Sequence, residues 1–235
     1  MASRRSVTLW VAIAVSGFLL GGGGRATLAL FKDIESDPST FTTAVTFGGA
    51  ATYYQHNNPT PPTADTNSQA DLPMDITTPA AIILRNYDQN RDIAPGLTIL
   101  KGGSGAGETD LTKYQNWRTG VLSPGRAING TITVTFWSGM RNFGLIKRGA
   151  VTVFLRDFDP ATSAYTTIAS GTLTEPNWQG LSITWVQKTL TMTASNYSLA
   201  SGHRLELKLI VDGTADDDMW FAYDTTAYPS RVTVP

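Results

Sequence analysis

The sequence predicts an all-β protein, an antiparallel jelly-roll-like β-sandwich preceded by an N-terminal signal or anchor helix. Three observations carry this. In the stretch His203–Val211, Leu205, Leu207, Leu209 and Val211 fall on one side and Arg204, Glu206 and Lys208 on the other. A period of two with charges opposite aliphatics marks a half-buried strand. Similar short segments recur through residues 131–235 with turn residues between them, the spacing of a sandwich. Charged residues make up 16% of the 235-residue chain, below the roughly 25% usual for soluble domains. Thr, Ser, Gly, Asn and Pro fill the difference and favour strands and turns over helices.

Composition also excludes several functions. The net charge of -1 leaves no electrostatic footprint for nucleic acid or an anionic membrane surface. Cysteine is absent, which removes disulfides, thiolate chemistry and Cys-based zinc sites. With 41% hydrophobic residues the chain has enough apolar side chains to bury a core.

At the N-terminus Arg4-Arg5 precede an apolar run, Val7 to Leu20. A spanning helix needs about 20 residues, so this run is short and fits the apolar core of a signal peptide. The alternative is a retained anchor, since Arg25 is the one charge between Val7 and Phe31. Retained, it would be the chain's one membrane contact. Small residues at -3 and -1 place cleavage after Thr27-Leu28-Ala29, leaving Leu30 as the mature N-terminus. Three segments result: 1–29 signal peptide, 30–79 N-terminal arm and Pro/Thr-rich connection, 80–235 sandwich.

The stretch Gly22 to Ser36, containing Ala29-Leu30-Phe31-Lys32-Asp33, followed by Ser39-Thr40-Phe41-Thr42-Thr43, resembles the processing region of the TasA/camelysin family. The resemblance covers residues 20–47 and departs where the family carries Gly and this chain has Ala44. It implies export and a place in biofilm fibres or a surface layer. A peptidase has also been described in that family. Here His203 and His56 are the only histidines and no His-Glu-x-x-His is present, so the three ligands of a zinc hydrolase are not at hand.

Along the rest of the chain, Phe41–Phe47 alternates like a strand and Gly48-Gly49 ends it. Pro59, Pro61 and Pro62 exclude a central strand around them, and the segment to Pro79 reads as a surface connection anchored by Tyr53, Tyr54, Leu72, Met74 and Ile76. Ala80–Leu84 and Leu97–Lys101 read as short buried strands. Gly102–Gly107 is a glycine loop. The carboxylates of Glu108 and Asp110 beyond it would repel a phosphate. Further strands are expected at Thr131–Ser138, Ala150–Arg156, Tyr165–Leu173, Ile183–Met192, His203–Val211, Met219–Tyr223 and Arg231–Val234. Asp157-Phe158-Asp159-Pro160 and Glu175-Pro176-Asn177 read as turns.

The segments Val151–Asp157, Ile168–Leu173 and Ser201-Gly202-His203-Arg204-Leu205-Glu206-Leu207 resemble the galactose-binding-like jelly roll, in particular the C-terminal domain of X-Pro dipeptidyl peptidases and related hydrolases. The resemblance covers about residues 131–212 and implies a fold element without chemistry. The hydrolase domain that precedes it in those enzymes, and its Gly-x-Ser-x-Gly nucleophile elbow, have no counterpart in this sequence. The stretch Ala222–Arg231 is similar to the closing segment of bacterial surface proteins.

Candidate sites are few. Asn86, Asp88, Asn90 and Asp92 alternate and can turn toward one hard cation, although Arg91 stands where a calcium loop has Gly and Leu97 where it has Glu. The alternative is a polar turn. Asp216-Asp217-Asp218 is a second carboxylate group, for a structural calcium or for a solvated turn. Trp178, in the expected turn, is the candidate for stacking on a sugar. His203 is expected to cap a strand. No cofactor is required. The expected function is a secreted, non-catalytic structural or adhesive protein of the cell surface or extracellular matrix, with fibres formed by strand exchange between copies of the arm Leu30–Phe47. The alternative is a carbohydrate-binding module whose partners are surface or matrix glycans.

Overall fold

The computed structural model describes residues 49–57, 70–82, 97–140, 146–179 and 185–235, all within one compact unit, Thr46–Pro235. The signal segment, the Ala29/Leu30 processing site, the strand Phe41–Phe47 and the Asn86–Asp92 loop lie outside the described residues.

Eleven strands are described: β1 (Ala51–Gln55), β2 (Leu72–Asp75), β3 (Leu97–Ile99), β4 (Tyr114–Arg118), β5 (Arg126–Met140), β6 (Lys147–Asp159), β7 (Ala164–Gln179), β8 (Val186–Leu199), β9 (Arg204–Val211), β10 (Met219–Ala222) and β11 (Arg231–Val234). They form one hydrogen-bonded path, β3-β10-β5-β11-β1-β2-β4-β9-β6-β7, with β8 on the other edge of β5. The path folds into a sandwich. The first layer is built on β5, which pairs with β8 along one edge and with β10 and β11 end to end along the other. The second layer is β4-β9-β6-β7. β2 joins them: Met74 and Asp75 pair antiparallel with β1, while Leu72 and Pro73 pair parallel with β4.

The core follows from alternation. On β5, Ile132, Val134 and Phe136 are buried, and on β9 Leu205, Leu207 and Leu209 meet them from the other layer. Val151, Val153 and Leu155 of β6, Leu190 and Met192 of β8, and Val232 and Val234 of β11 complete it. Fully burying such a side chain stabilises by about 1.5–3 kcal/mol. β1 and β2 are integral to the sandwich, although both were expected in the connection outside it. Tyr53, Leu72 and Met74 are core residues there, whereas Ile76 is exposed.

Several expected boundaries differ. β6 and β7 run through the residues read as turns, and the reversal lies at Pro160–Ser163. Cross-strand pairing from Asp157↔Thr166 to Asp159↔Ala164 holds Asp157–Asp159 in the ladder. Glu175-Pro176-Asn177 forms a register shift inside β7, between Gly149↔Glu175 and Lys147↔Gln179. Pro176 lacks an N–H, and a bulge is where a strand tolerates that. Ala80–Ile82, expected to begin a buried strand, is exposed and not a strand; Thr226 N–H donates to the carbonyl of Ala81, which ties this segment to the β10–β11 connection.

β9 departs most from expectation. Its charged side is buried too: Glu206 is 0% exposed and Lys208 2%. The glycine loop and the arginines of neighbouring strands cover that face.

Candidate functional site

The outer face of the second layer holds a charged network centred on Glu206. The register aligns Arg156 of β6 and Arg118 of β4 with Glu206 of β9. One carboxylate oxygen accepts from Arg156 Nε at 2.8 Å and from a terminal nitrogen of the same guanidinium. The other accepts from Arg118 Nε at 2.7 Å and Asn116 Nδ2 at 3.0 Å. Arg118 continues to Asp71 at 2.8 Å and to the Tyr165 hydroxyl, and its guanidinium lies 4.0 Å from the Phe158 ring centroid. Arg156 and Lys208 both donate to the carbonyl of Ala106, which fastens the glycine loop over the sheet. Burial lowers the Lys208 ammonium to about 8, and the nearby Arg156 charge adds to this. The Glu108 carboxylate turns back into the loop and accepts from the N–H groups of Asp110, Ser104 and Thr109, which hold it at about 2. Every charged group here meets a partner within the fold, so the network is a structural closure of this face.

The two histidines are also engaged. His56 Nδ1 lies 2.8 Å from Asp224 Oδ1, and Nε2 lies 3.0 Å from the carbonyl of Thr77. A carbonyl only accepts, so Nε2 carries a proton. A bare Nδ1 would then face a carboxylate, which favours the imidazolium. The Asp224 hydrogen bond accordingly raises the pKa of His56, against the opposing effect of burial. His203, one residue before β9, lies with Nδ1 2.8 Å from Asp157, whose other oxygen accepts from Tyr197. Burial and that hydrogen bond push the Tyr197 phenol up to about 12.

Trp178 is not at the surface. It is 1% exposed, donates from Nε1 to Ser138 Oγ at 2.8 Å and stacks on Phe136. The register shift in β7 brings the ring inward over Gly149, where a Cβ would stand 2.3 Å from it. The Asp216–Asp218 turn is likewise knit into the fold. Asp216 accepts from the N–H of Arg148 at 2.6 Å, Asp217 from Lys147 Nζ at 2.6 Å, and Asp218 from the N–H of Lys101 at 3.0 Å. Each carboxylate of this turn therefore has a donor within the fold, an ammonium among them.

The outer face of the first layer is different in kind. Positions facing away from the core are Thr131, Thr133, Thr135 and Trp137 on β5, with Thr193, Thr191, Thr189 and Gln187 opposite them on β8; Thr135 is covered by its neighbours and buried. Thr233 of β11 pairs with Thr133, and Thr52 of β1 pairs with Thr233, their hydroxyls 2.9 Å apart. At one end stand three partly buried rings. Tyr228, from the β10–β11 connection, lies 6.3 Å from Trp137 and 5.9 Å from Trp185, centroid to centroid. Two charged side chains border this array: Arg231, opposite Thr135, whose guanidinium donates to the carbonyl of Pro229 at 3.2 Å, and Asp75, opposite Tyr54 in the same row. The alternation Thr-x-Thr-x-Thr in both strands was the signal for this face. It reads as ordinary strand patterning until pairing sets the two segments side by side.

No family profile and no curated protein sequence matches the chain. Solved structures match in fold. One is a CocE/NonD family hydrolase from Staphylococcus aureus, at TM-score 0.53 and 8% identity, covering 80% of this chain and 36% of that one. An α-amino acid ester hydrolase matches at TM-score 0.51 and 10% identity, covering 69% and 34%. An aminopeptidase from a Thaumarchaeota archaeon of marine sediment matches at TM-score 0.50 and 10% identity, covering 80% and 36%. The chain thus spans about a third of the length of these hydrolases, and the likeness is one of fold. It agrees with the β-sandwich resemblance read from residues 131–212.

Proposed function

We propose that the chain is an exported, non-catalytic adhesive protein of the cell surface or extracellular matrix that holds carbohydrate on the outer face of its first layer. The observation that carries this is the face of threonine hydroxyls ending in Trp137, Tyr228 and Trp185. Hydroxyls satisfy sugar hydroxyls, and aromatic rings offer apolar faces of the right size for a pyranose. The non-catalytic reading is supported by the engaged ring nitrogens of His56 and by Asp157 holding His203. The part of the hydrolases that this fold matches corresponds, on this reading, to their accessory sandwich. The fibre-forming version depends on the arm Leu30–Phe47, outside the described residues.

Two measurements test the proposal. Intact mass of protein recovered from medium or envelope is expected to lack residues 1–29; a mass that includes Trp10 refutes cleavage. A screen of the purified protein against soluble and insoluble glycans is expected to show saturable binding that falls in Trp185→Ala. Absence of binding to every glycan overturns the carbohydrate reading.

A further inference from the structure

The pairing of β8, β5, β11 and β1 turns two sequence-distant Thr-x-Thr-x-Thr segments into a lattice. Thr191, Thr133, Thr233 and Thr52 lie in one row across four strands. Neighbouring strands stand about 4.8 Å apart, and alternate residues along a strand about 6.7 Å apart. The hydroxyls therefore repeat in two directions on one face, where most monosaccharide sites are clefts. Threonine is stiff at χ1, so ordering these side chains against a ligand costs little conformational entropy.

From this we infer that the face binds the surface of an ordered, uncharged, insoluble polysaccharide, in preference to a single soluble chain. The inference rests on the carbohydrate reading above and narrows its ligand. Three features point to this occupant. The face is repetitive in two directions, and so is the surface of a packed polymer. The charges on the face are one of each sign, Arg231 beside Thr135 and Asp75 beyond Tyr54; an acidic polymer would find no excess of counter-charge, and complementarity favours a neutral one. The aromatic group continues the β5 column directly, because Trp137 is the next outward residue after Thr135. Strand propensity alone accounts for threonine on an outward strand face. It does not account for two partly buried tryptophans and a tyrosine grouped at that end of the face.

The test is sedimentation of the purified full-length chain with microcrystalline cellulose and with crystalline chitin, in the presence and absence of soluble cellohexaose and chitohexaose. One of the two solids is expected to retain the protein, with the matching soluble hexaose binding at least about tenfold more weakly. Thr191→Glu places a charge at an exposed point where that row meets the middle of the Thr189–Thr193 column of β8, and Trp185→Ala removes a ring of the aromatic group. Each is expected to lower affinity for the solid by about tenfold or more, with unchanged melting temperature as the check on folding. Equal affinity for solid and soluble hexaose refutes the lattice inference and leaves the carbohydrate reading intact. So does a loss in Trp185→Ala with none in Thr191→Glu. Failure to bind any glycan refutes both. Incorporation into growing ice without retention on either solid also overturns the inference, because the lattice would then order water.

Discussion

Replacing Glu206 with Gln isolates the charge at the centre of the second layer. The change keeps the shape of the side chain and removes one negative charge from a position that is 0% exposed. Arg156 and Arg118 then face each other across a neutral amide, and their side chains are 8% and 12% exposed. The amide nitrogen would also point a donor at Arg or Asn donors, because both carboxylate oxygens now accept from them. Breaking a buried ion pair by removing one partner costs about 3–5 kcal/mol. Urea unfolding monitored by tryptophan fluorescence should therefore show a fall of that size with an unchanged m-value. Leu207→Ala, the neighbouring core truncation, is expected to cost about 2–5 kcal/mol. The two adjacent substitutions should thus be comparable. From the sequence alone, Glu206 reads as solvent-facing, for which the expected cost is under about 1 kcal/mol. A measured loss under about 1 kcal/mol for Glu206→Gln, beside a large one for Leu207→Ala, would refute the buried network and restore the half-buried strand.

Other outcomes depend on single contacts. Gly149→Ala drives a methyl into the Trp178 ring, at 2.3 Å before relaxation, and is expected to cost about 1–3 kcal/mol or more. Gly107→Ala, with nothing within 4 Å of its Cβ, should stay within about 0.5 kcal/mol by the same unfolding assay. The raised pKa of His56 contributes stability that is fully present below its unfolded value of about 6.5 and is lost as pH rises through the folded value. Unfolding free energy measured across that range should decline on the alkaline side, and His56→Ala should flatten the decline. If added calcium raises the melting temperature, the rise is expected to vanish in Asp88→Asn and to persist in Asp217→Asn, since Asp217 already holds Lys147; loss in Asp217→Asn alone would return the cation to the Asp216–Asp218 turn.

The sequence by itself determined the class of fold and most of the core. Alternation in Ile132–Phe136, Val151–Leu155 and Leu205–Leu209 identifies strands and their inward residues, because side-chain direction in a strand depends only on parity. It also placed Trp220 and Met219 in a strand and read His203 as a structural residue. Parity names two faces but does not say what covers the second. Only the tertiary structure decided that Glu206 is enclosed, since its partners Arg118 and Arg156 lie 88 and 50 residues away. Trp178 was misplaced for a related reason. Glu175-Pro176-Asn177 has turn chemistry, and a bulge within a long strand uses the same residues. The candidate binding face was hidden in plain patterning. Thr131–Thr135 and Thr189–Thr193 are each ordinary outward strand positions, and their facing register is a fact of pairing. Local sequence dictates periodicity, while burial of polar groups and the assembly of a surface depend on contacts between distant segments.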